Sequence, residues 1–338
     1  MARERVVIVG AGGIMGAWMP PLIEEKVQIV GVVDKFIDAA QKRVDEYSLQ
    51  CEASDDLAKT LRETQPDFVL NLTIPEAHYE VTCAALKAGA HVVSEKPMSA
   101  TLQEARKMVK LAEETGKMFM VSQSRRWDAN HDLTKRVLDS KQLGAITTLN
   151  CDFYIGAHFG GFRDEMDSPL ILDMAVHHFD LARYFSGADA VAVYAHEFNP
   201  QGSWYKGDVA ASCIFEMSNG SVFTYRGSWC SEGLHTSWNG DWRFNGEKGS
   251  VVMEKDAPPH GQVVAKKTSD FTQPLKDAKI PAPRKIHSGM HGALREMLAF
   301  LRKGTVPQTE CHDNIKSLAM VLAAIESSKK RKRIEIKV

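Results

Sequence analysis

The chain has 338 residues, 44% of them hydrophobic, with 42 Lys plus Arg against 43 Asp plus Glu, a length suited to two domains of about 100–200 residues each. So even a charge balance lacks the electrostatic footprint of a nucleic-acid binder, and no run of about 18 apolar residues is present to cross a bilayer, which leaves small molecules as the expected partners. Cys51, Cys83, Cys151, Cys213, Cys230 and Cys311 form no C-x-x-C pair, and the charged start "MARERVVIVG" enters a strand too short for a signal-peptide core; a reducing cytoplasmic setting is expected.

In chain order, "RVVIVG" and "VQIVGVVD" are nearly continuous apolar, β-branched runs of the kind buried on both faces, each followed by a helical pattern. "DFVLNLTI" then precedes "EAHYEVTCAALKAG", "HVVSEKP" precedes "TLQEARKMVKLAEETG", and "MFMVSQ" ends the series. Thr101 with Glu104 reads as a capping box, and Gly89 and Gly116 fall at helix C-termini. This alternation predicts a doubly wound parallel sheet with right-handed crossovers over residues 1–123. Pro20 and Pro21 must shorten or kink the first helix.

The first turn, "VGAGGIMG", places Gly10 and Gly12 where a dinucleotide fingerprint needs a tight turn and a close backbone approach, with a helix N-terminus behind them for a pyrophosphate. The third fingerprint position is Met15, and the glycine follows one residue late at Gly16. Either the helix stands slightly off the strand or Met15 lies over the cofactor. Asp34 ends the second strand, where an acid binds the adenosine ribose hydroxyls and repels a 2′-phosphate. NAD is therefore expected, while Lys35 leaves NADP open.

From "TTLNCDFYIG" onward, strand patterns dominate, and "ASCIFEMSNGSVFTYRGSW" reads as a hairpin joined by Asn219-Gly220. The segment 255–285, rich in proline and lysine, reads as an exposed loop or arm. Helices around "MHGALREMLAFLRKG" and "HDNIKSLAMVLAAIESSKK" close the chain, with the basic run Lys329 to Arg333 a solvated stretch before a last strand. Residues 124–338 are thus expected to form a substrate and oligomerisation domain, a mostly antiparallel open-faced sheet with helices on one side. Phe223, Tyr225 and Trp229 share one face of it at period two, opposite Val222, Thr224, Arg226 and Ser228. An aromatic patch of that size predicts a homodimer, or a homotetramer of such dimers, paired through the open face.

The segment "SPLILDMAVHHFDLARYF" spaces Asp173, His177 and Asp180 at i, i+4, i+7, on one helical stripe. A carboxylate four residues from a histidine can fix its tautomer and raise its basicity, as a proton-transfer residue requires; the other reading is the polar stripe of an amphipathic helix. His178 lies about 100° away from His177, a poor pair for metal, and no H-E-x-x-H is present. No metal is expected.

The glycine turn, "TIPEAHYE", "EKP" and D-x-x-x-H-x-x-D together resemble the glucose-fructose oxidoreductase, inositol dehydrogenase and MocA family over essentially the whole chain. The resemblance implies an NAD(P)-dependent oxidoreductase acting on a CH–OH group of a sugar, cyclitol or polyol. By it, Lys96 and His177 act on the substrate, with Asp173 orienting the histidine. Gly10, Gly12, Gly13, Ile14, Met15, Asp34, Lys35, Thr73, Ile74, Pro75, His78, Glu95, Lys96 and Arg163 line the cofactor. Arg126, Trp127, Asp173 and His177 join Lys96 around the substrate. The bottom-up reason for Lys96 agrees, because ligands of a doubly wound sheet lie beyond the carboxyl ends of its strands, where an ammonium can hold charge developing on oxygen. Pro97 fixes the turn that carries it. Two other readings are a redox-neutral glycosidase of the same fold and a non-catalytic dinucleotide sensor; the first gives no net NADH, and the second has no use for Lys96, Asp173 and His177 together.

Overall fold

The structure, a computed structural model, describes residues 3–338. The chain divides into two compact units, one running to Ser124 and taking up His287–Leu318, the other formed by Arg125–Ile286 with Ala319–Lys337.

In the first unit, strands β1 (Arg5–Val9), β2 (Gln28–Val33), β3 (Glu52–Ser54), β4 (Phe68–Asn71), β5 (His91–Ser94) and β6 (Phe119–Val121) alternate with helices α1 (Met15–Glu24), α2 (Ile37–Glu46), α3 (Leu57–Thr64), α4 (Pro75–Lys87) and α5 (Leu102–Thr115). All the pairings are parallel and the order is β3-β2-β1-β4-β5-β6, the doubly wound arrangement whose strand order reverses between β1 and β4. Every residue of β4 is buried, as is all of β5 after His91, which is why those strands read as unbroken apolar runs. Thr101 and Glu104 form the expected capping box, and Gly116 ends α5 in the left-handed conformation. Pro20 and Pro21 lie inside α1, which runs only ten residues.

The second unit holds α6 (Ala129–Asp139), the short α7 (Phe162–Glu165), α8 (Val176–Ser186) and a sheet of β7 (Ile146–Tyr154), β8 (Ala190–Phe198), β9 (Ala210–Met217), β10 (Val222–Ser228), β11 (Asp241–Gly246), β12 (Gly249–Met253), β13 (His260–Val264), β14 (Leu275–Asp277) and β15 (Ile334–Glu335). Its order is β14-β13-β12-β11-β7-β10-β9-β8-β15. All neighbours are antiparallel except β7 and β10. One face is packed: Phe179 of α8 meets Phe215, Phe223 and Tyr225 with ring centroids 4.7, 6.1 and 5.4 Å away.

Four expectations change here. Phe223, Tyr225 and Trp229 are buried under α8 and its neighbours rather than presented to a second copy; the period-two pattern gives a shared face but not which face the helices cover. The β9–β10 hairpin has a four-residue loop, with the Asn219 side chain accepting bonds from the Ser221 N–H (3.1 Å) and hydroxyl (2.7 Å). The 255–285 segment supplies β13 and β14, an exposed end of the sheet. Finally, helix α9 (Gly289–Lys303) and the start of α10 (Cys311–Lys330) belong with the first unit. Arg302 grips Glu4 through two bonds of 2.6 and 2.9 Å, and Thr309 exchanges bonds of 2.6 and 3.0 Å with the Val121 backbone. No local pattern marks that return of the chain. Among the described residues no helix is long and apolar enough to cross a membrane.

Candidate active site

The carboxyl ends of β1, β2, β4 and β5 gather the residues expected around a dinucleotide. Gly10 has φ +101°, and a Cβ there would lie 2.7 Å from the Leu72 backbone, so both conformation and close approach require glycine. At Gly12 and Gly13 a Cβ would meet nothing within 4 Å. These two residues therefore line an open cradle at the start of α1, whose first turn carries no acid to oppose a phosphate. Asp34 closes the cradle's far side: the Ala11 N–H donates to its Oδ2 (2.8 Å) and the Phe36 N–H to its Oδ1 (3.0 Å). Lys35 holds its ammonium 4.8 Å from the Phe36 ring centroid. Ile14 is the residue before α1, but Met15 is fully buried, so its side chain belongs to the core and does not lie over a cofactor. Gly16 faces only the Tyr47 hydroxyl at an ordinary 3.5 Å; its late position carries no packing role.

Beside this cradle, Ile74 and Pro75 open α4, with Ile74 exposed. Behind them His78 is fully buried, its Nδ1 2.7 Å from the Pro97 carbonyl and its Nε2 3.0 Å from that of Thr73. Burial holds this imidazole below its ordinary pKa, so near neutrality it is neutral and donates to one carbonyl at a time. His78 thus clasps the β4 and β5 turns together instead of lining the cofactor. Glu95 likewise turns inward: the Trp18 indole N–H donates to its Oε1 (2.9 Å) and the Lys96 N–H to its Oε2 (3.2 Å), while burial raises its pKa. Lys96 follows, half-buried, and the Lys96–Pro97 peptide bond is cis.

Sequence reasoning passed over three supports of this edge. Asn71, buried at the end of β4, accepts from the Thr73 hydroxyl (2.7 Å) and N–H (3.3 Å) and donates to the His78 carbonyl (3.2 Å). Arg43 on α2 donates to the carbonyls of Ala11 (3.0 Å) and Gly12 (2.9 Å), and Trp18 anchors Glu95. An asparagine closing an apolar strand was the one signal available in advance.

In the second unit, a π turn over Leu170–Ala175 runs directly into α8. Such turns carry an extra residue per turn and recur at functional sites. The π turn breaks the expected stripe, because it shifts Asp173 relative to the α-helical positions that follow. Asp173 accepts from the Arg163 Nε at 2.6 Å. Asp180 instead is buried in a two-bond pair with Arg126, both bonds 2.7 Å, with Arg183 3.9 Å away. His177 is buried between them along the helix, and Trp127 is buried beside Arg126 in sequence. Arg163 also lies 5.0 and 4.7 Å from the ring centroids of Phe159 and Phe162, both of them exposed. His178 enters the core, 4.9 Å from the Phe153 ring centroid and 5.5 Å from that of Tyr225; burial drives its pKa well down. Arg125 was not singled out in the sequence. It is bonded to Asn239 and reaches the Met174 sulfur at 3.9 Å; burial lowers its pKa to about 10.

A glycine cradle at the switch point of a doubly wound sheet, with an acid at the end of β2, defines a dinucleotide-binding domain. The chain belongs to the GFO/IDH/MocA family: residues 4–123 match its NAD-binding Rossmann domain, described as "Oxidoreductase family, NAD-binding Rossmann fold", and residues 131–252 match its C-terminal domain. An uncharacterised protein of Sinorhizobium fredii is 25% identical over 96% of this chain and 93% of its own. D-apiose dehydrogenase of Paraburkholderia graminis is 25% identical over 83% of this chain and 76% of its own. The same fold is seen in a crystal structure of an oxidoreductase from Agrobacterium radiobacter in complex with NAD+, L-tartaric acid and magnesium (TM-score 0.86, 19% identity, 99% of each chain).

Proposed function

We propose that this NAD-binding oxidoreductase is a dehydrogenase acting on a secondary alcohol of a sugar, cyclitol or related polyol. The observation that carries the reading is the π turn, which holds Asp173 against Arg163 and leads straight into buried His177. A carboxylate and a guanidinium offer acceptors and donors for neighbouring hydroxyls, and the exposed faces of Phe159 and Phe162 suit the C–H face of a sugar ring. The similarity to a D-apiose dehydrogenase supports the substrate class.

Bound NAD supplies a nicotinamide ring able to take up or return a hydride. Gly10, Gly12, Gly13 and the start of α1 receive its pyrophosphate, and Asp34 the ribose hydroxyls. His177 removes the proton of the substrate hydroxyl, with Asp173 and Arg163 setting its surroundings, and the Lys96 ammonium holds the charge that develops on the oxygen. Arg126 acts through Asp180, by fixing α8. A screen of polyols and aldoses with NAD and NADP, read as NAD(P)H absorbance, tests the reading; glycoside cleavage without any net absorbance change would replace it with the redox-neutral reaction.

Assembly belongs to the same proposal, through the outer sheet face. There Tyr194 and Ile214 are paired neighbours, 51% and 50% exposed, and Arg226 grips Asp152 at 2.7 and 2.6 Å. A second copy of this face would bury the apolar pair in a two-fold dimer or a tetramer of dimers. Ile214→Glu is expected to release monomers in light scattering, whereas a monomeric unmodified protein at micromolar concentration rules the interface out.

A further inference from the structure

The end of α1 and the start of α9, both in the first unit, bring together two histidines and two carboxylates that the dinucleotide site does not use. Glu24 is the last residue of α1 and Glu25 follows it; His287 precedes α9 and His291 lies in its first turn. Nitrogen or oxygen atoms of Glu24, His287 and His291 all lie within 4.8 Å of one another. We propose that these three residues bind a divalent transition-metal ion of the zinc class.

The distances have the form of a ligand set. His287 Nδ1 and His291 Nδ1 are 3.3 Å apart, close to the separation of about 3.3–3.4 Å that two imidazoles adopt across a tetrahedral zinc with Zn–N bonds of ~2.0–2.1 Å. Glu24 Oε2 lies 3.9 Å from the same His291 nitrogen, and its exposed side chain has freedom to close that gap. The other nitrogen of His291, Nε2, is 3.0 Å from Glu25 Oε1. When His291 Nε2–H donates to Glu25, the neutral ring keeps its lone pair on Nδ1, directed at His287. This carboxylate–histidine pairing is the outer support that metal-bound imidazoles commonly have. Glu25 is itself held by Arg295 at 2.8 Å, which fixes the support.

Charge permits a cation here. Glu4, Glu24 and Glu25 outnumber Arg295 and Arg302, the latter bonded to Glu4 and 3.9 Å from Glu25. The carbonyl end of α1 favours a cation and the amide end of α9 opposes one, so the two helix dipoles largely offset each other. Two imidazoles and one carboxylate leave a fourth position for water, and nitrogen-rich sets of this kind suit zinc, nickel or copper over magnesium or calcium. The ion would tie α9 to α1 at the end of that helix away from the glycine cradle. Its role is a structural clasp in the first unit, independent of the dehydrogenase reading.

Untagged protein stripped with EDTA and titrated calorimetrically with ZnCl₂ tests this. One zinc per chain and a raised Tm are expected, with affinity lowered tenfold or more in both His287→Ala and Glu24→Gln. Co²⁺ in place of zinc should give the intense visible bands of a tetrahedral site. Glu24 is exposed and His287 half-buried, and circular dichroism of the metal-free variants checks that they fold. Absence of binding, or binding undiminished in both variants, overturns the proposal, as does a Co²⁺ spectrum of the octahedral aquo type. In the last three cases the contact is only an N–H···N hydrogen bond donated by His287.

Discussion

The turn after β1 and the turn before α8 each lead into a helix of the proposed site, yet they are made of different material. The first is backbone: Gly10 is forced by φ +101° and by Leu72, while Gly12 and Gly13 leave open space. The second is side chain: Asp173 against Arg163, and a few residues on, Asp180 against Arg126. A backbone site depends on what is missing, the Cβ atoms, and accepts any dinucleotide whose phosphates fit. A side-chain site depends on which partner each charge takes.

The largest expected effect breaks the side-chain site. Arg126→Ala would take from buried Asp180 the guanidinium that holds it by two bonds of 2.7 Å; losing one partner of a buried pair costs about 3–5 kcal/mol. Chemical denaturation measures this, and a loss below about 1 kcal/mol would show Arg126 to be a surface-like pair.

Next comes the chemistry. His177→Ala is expected to lower kcat by about 10²-fold or more with NAD affinity unchanged, since a lost general base removes transition-state stabilisation alone. Asp173→Asn should lose less, because Arg163 would still hold the side chain by one hydrogen bond. Wild-type turnover in the His177 variant removes it from the reaction.

The backbone site is sharpened by a pair of alanines. Gly10→Ala meets both the Leu72 backbone and a left-handed φ, a strain of about 1–3 kcal/mol visible as a lower Tm. Gly12→Ala meets nothing and should leave Tm unchanged while weakening NAD binding, measured by calorimetry. Equal melting losses in the two variants would mean that Gly12 is not part of an open cradle.

Smallest is the cofactor preference. Asp34→Ser removes a charge that a 2′-phosphate would face, and a repulsion of about 1 kcal/mol predicts a roughly fivefold rise in the NADP to NAD ratio of kcat/KM. It also removes a carboxylate bonded to the Ala11 N–H, so binding of both cofactors should weaken slightly. An unmodified protein that already prefers NADP contradicts the reading of Asp34.

By itself the sequence determined what depends on near neighbours. The parallel strands, the Thr101–Glu104 capping box and the need for glycine at position 10 follow from apolar runs, cap chemistry and turn geometry within a few residues. So did the placing of Asp34 and Lys96 at strand ends, where a doubly wound sheet binds its ligands. Only the tertiary structure decided partners that lie far apart in the chain. Glu95 turns to Trp18, His78 bridges Thr73 and Pro97, Asp180 takes Arg126, and Phe223 faces α8. The return of residues 287–318 to the first unit is of the same kind. Periodicity says which residues share a face, but which charge or ring occupies the other side depends on packing over tens of residues. The π turn adds a local limit: one extra residue in a turn changes every angle after it, and nothing in "SPLILDMAVHHFD" announces it.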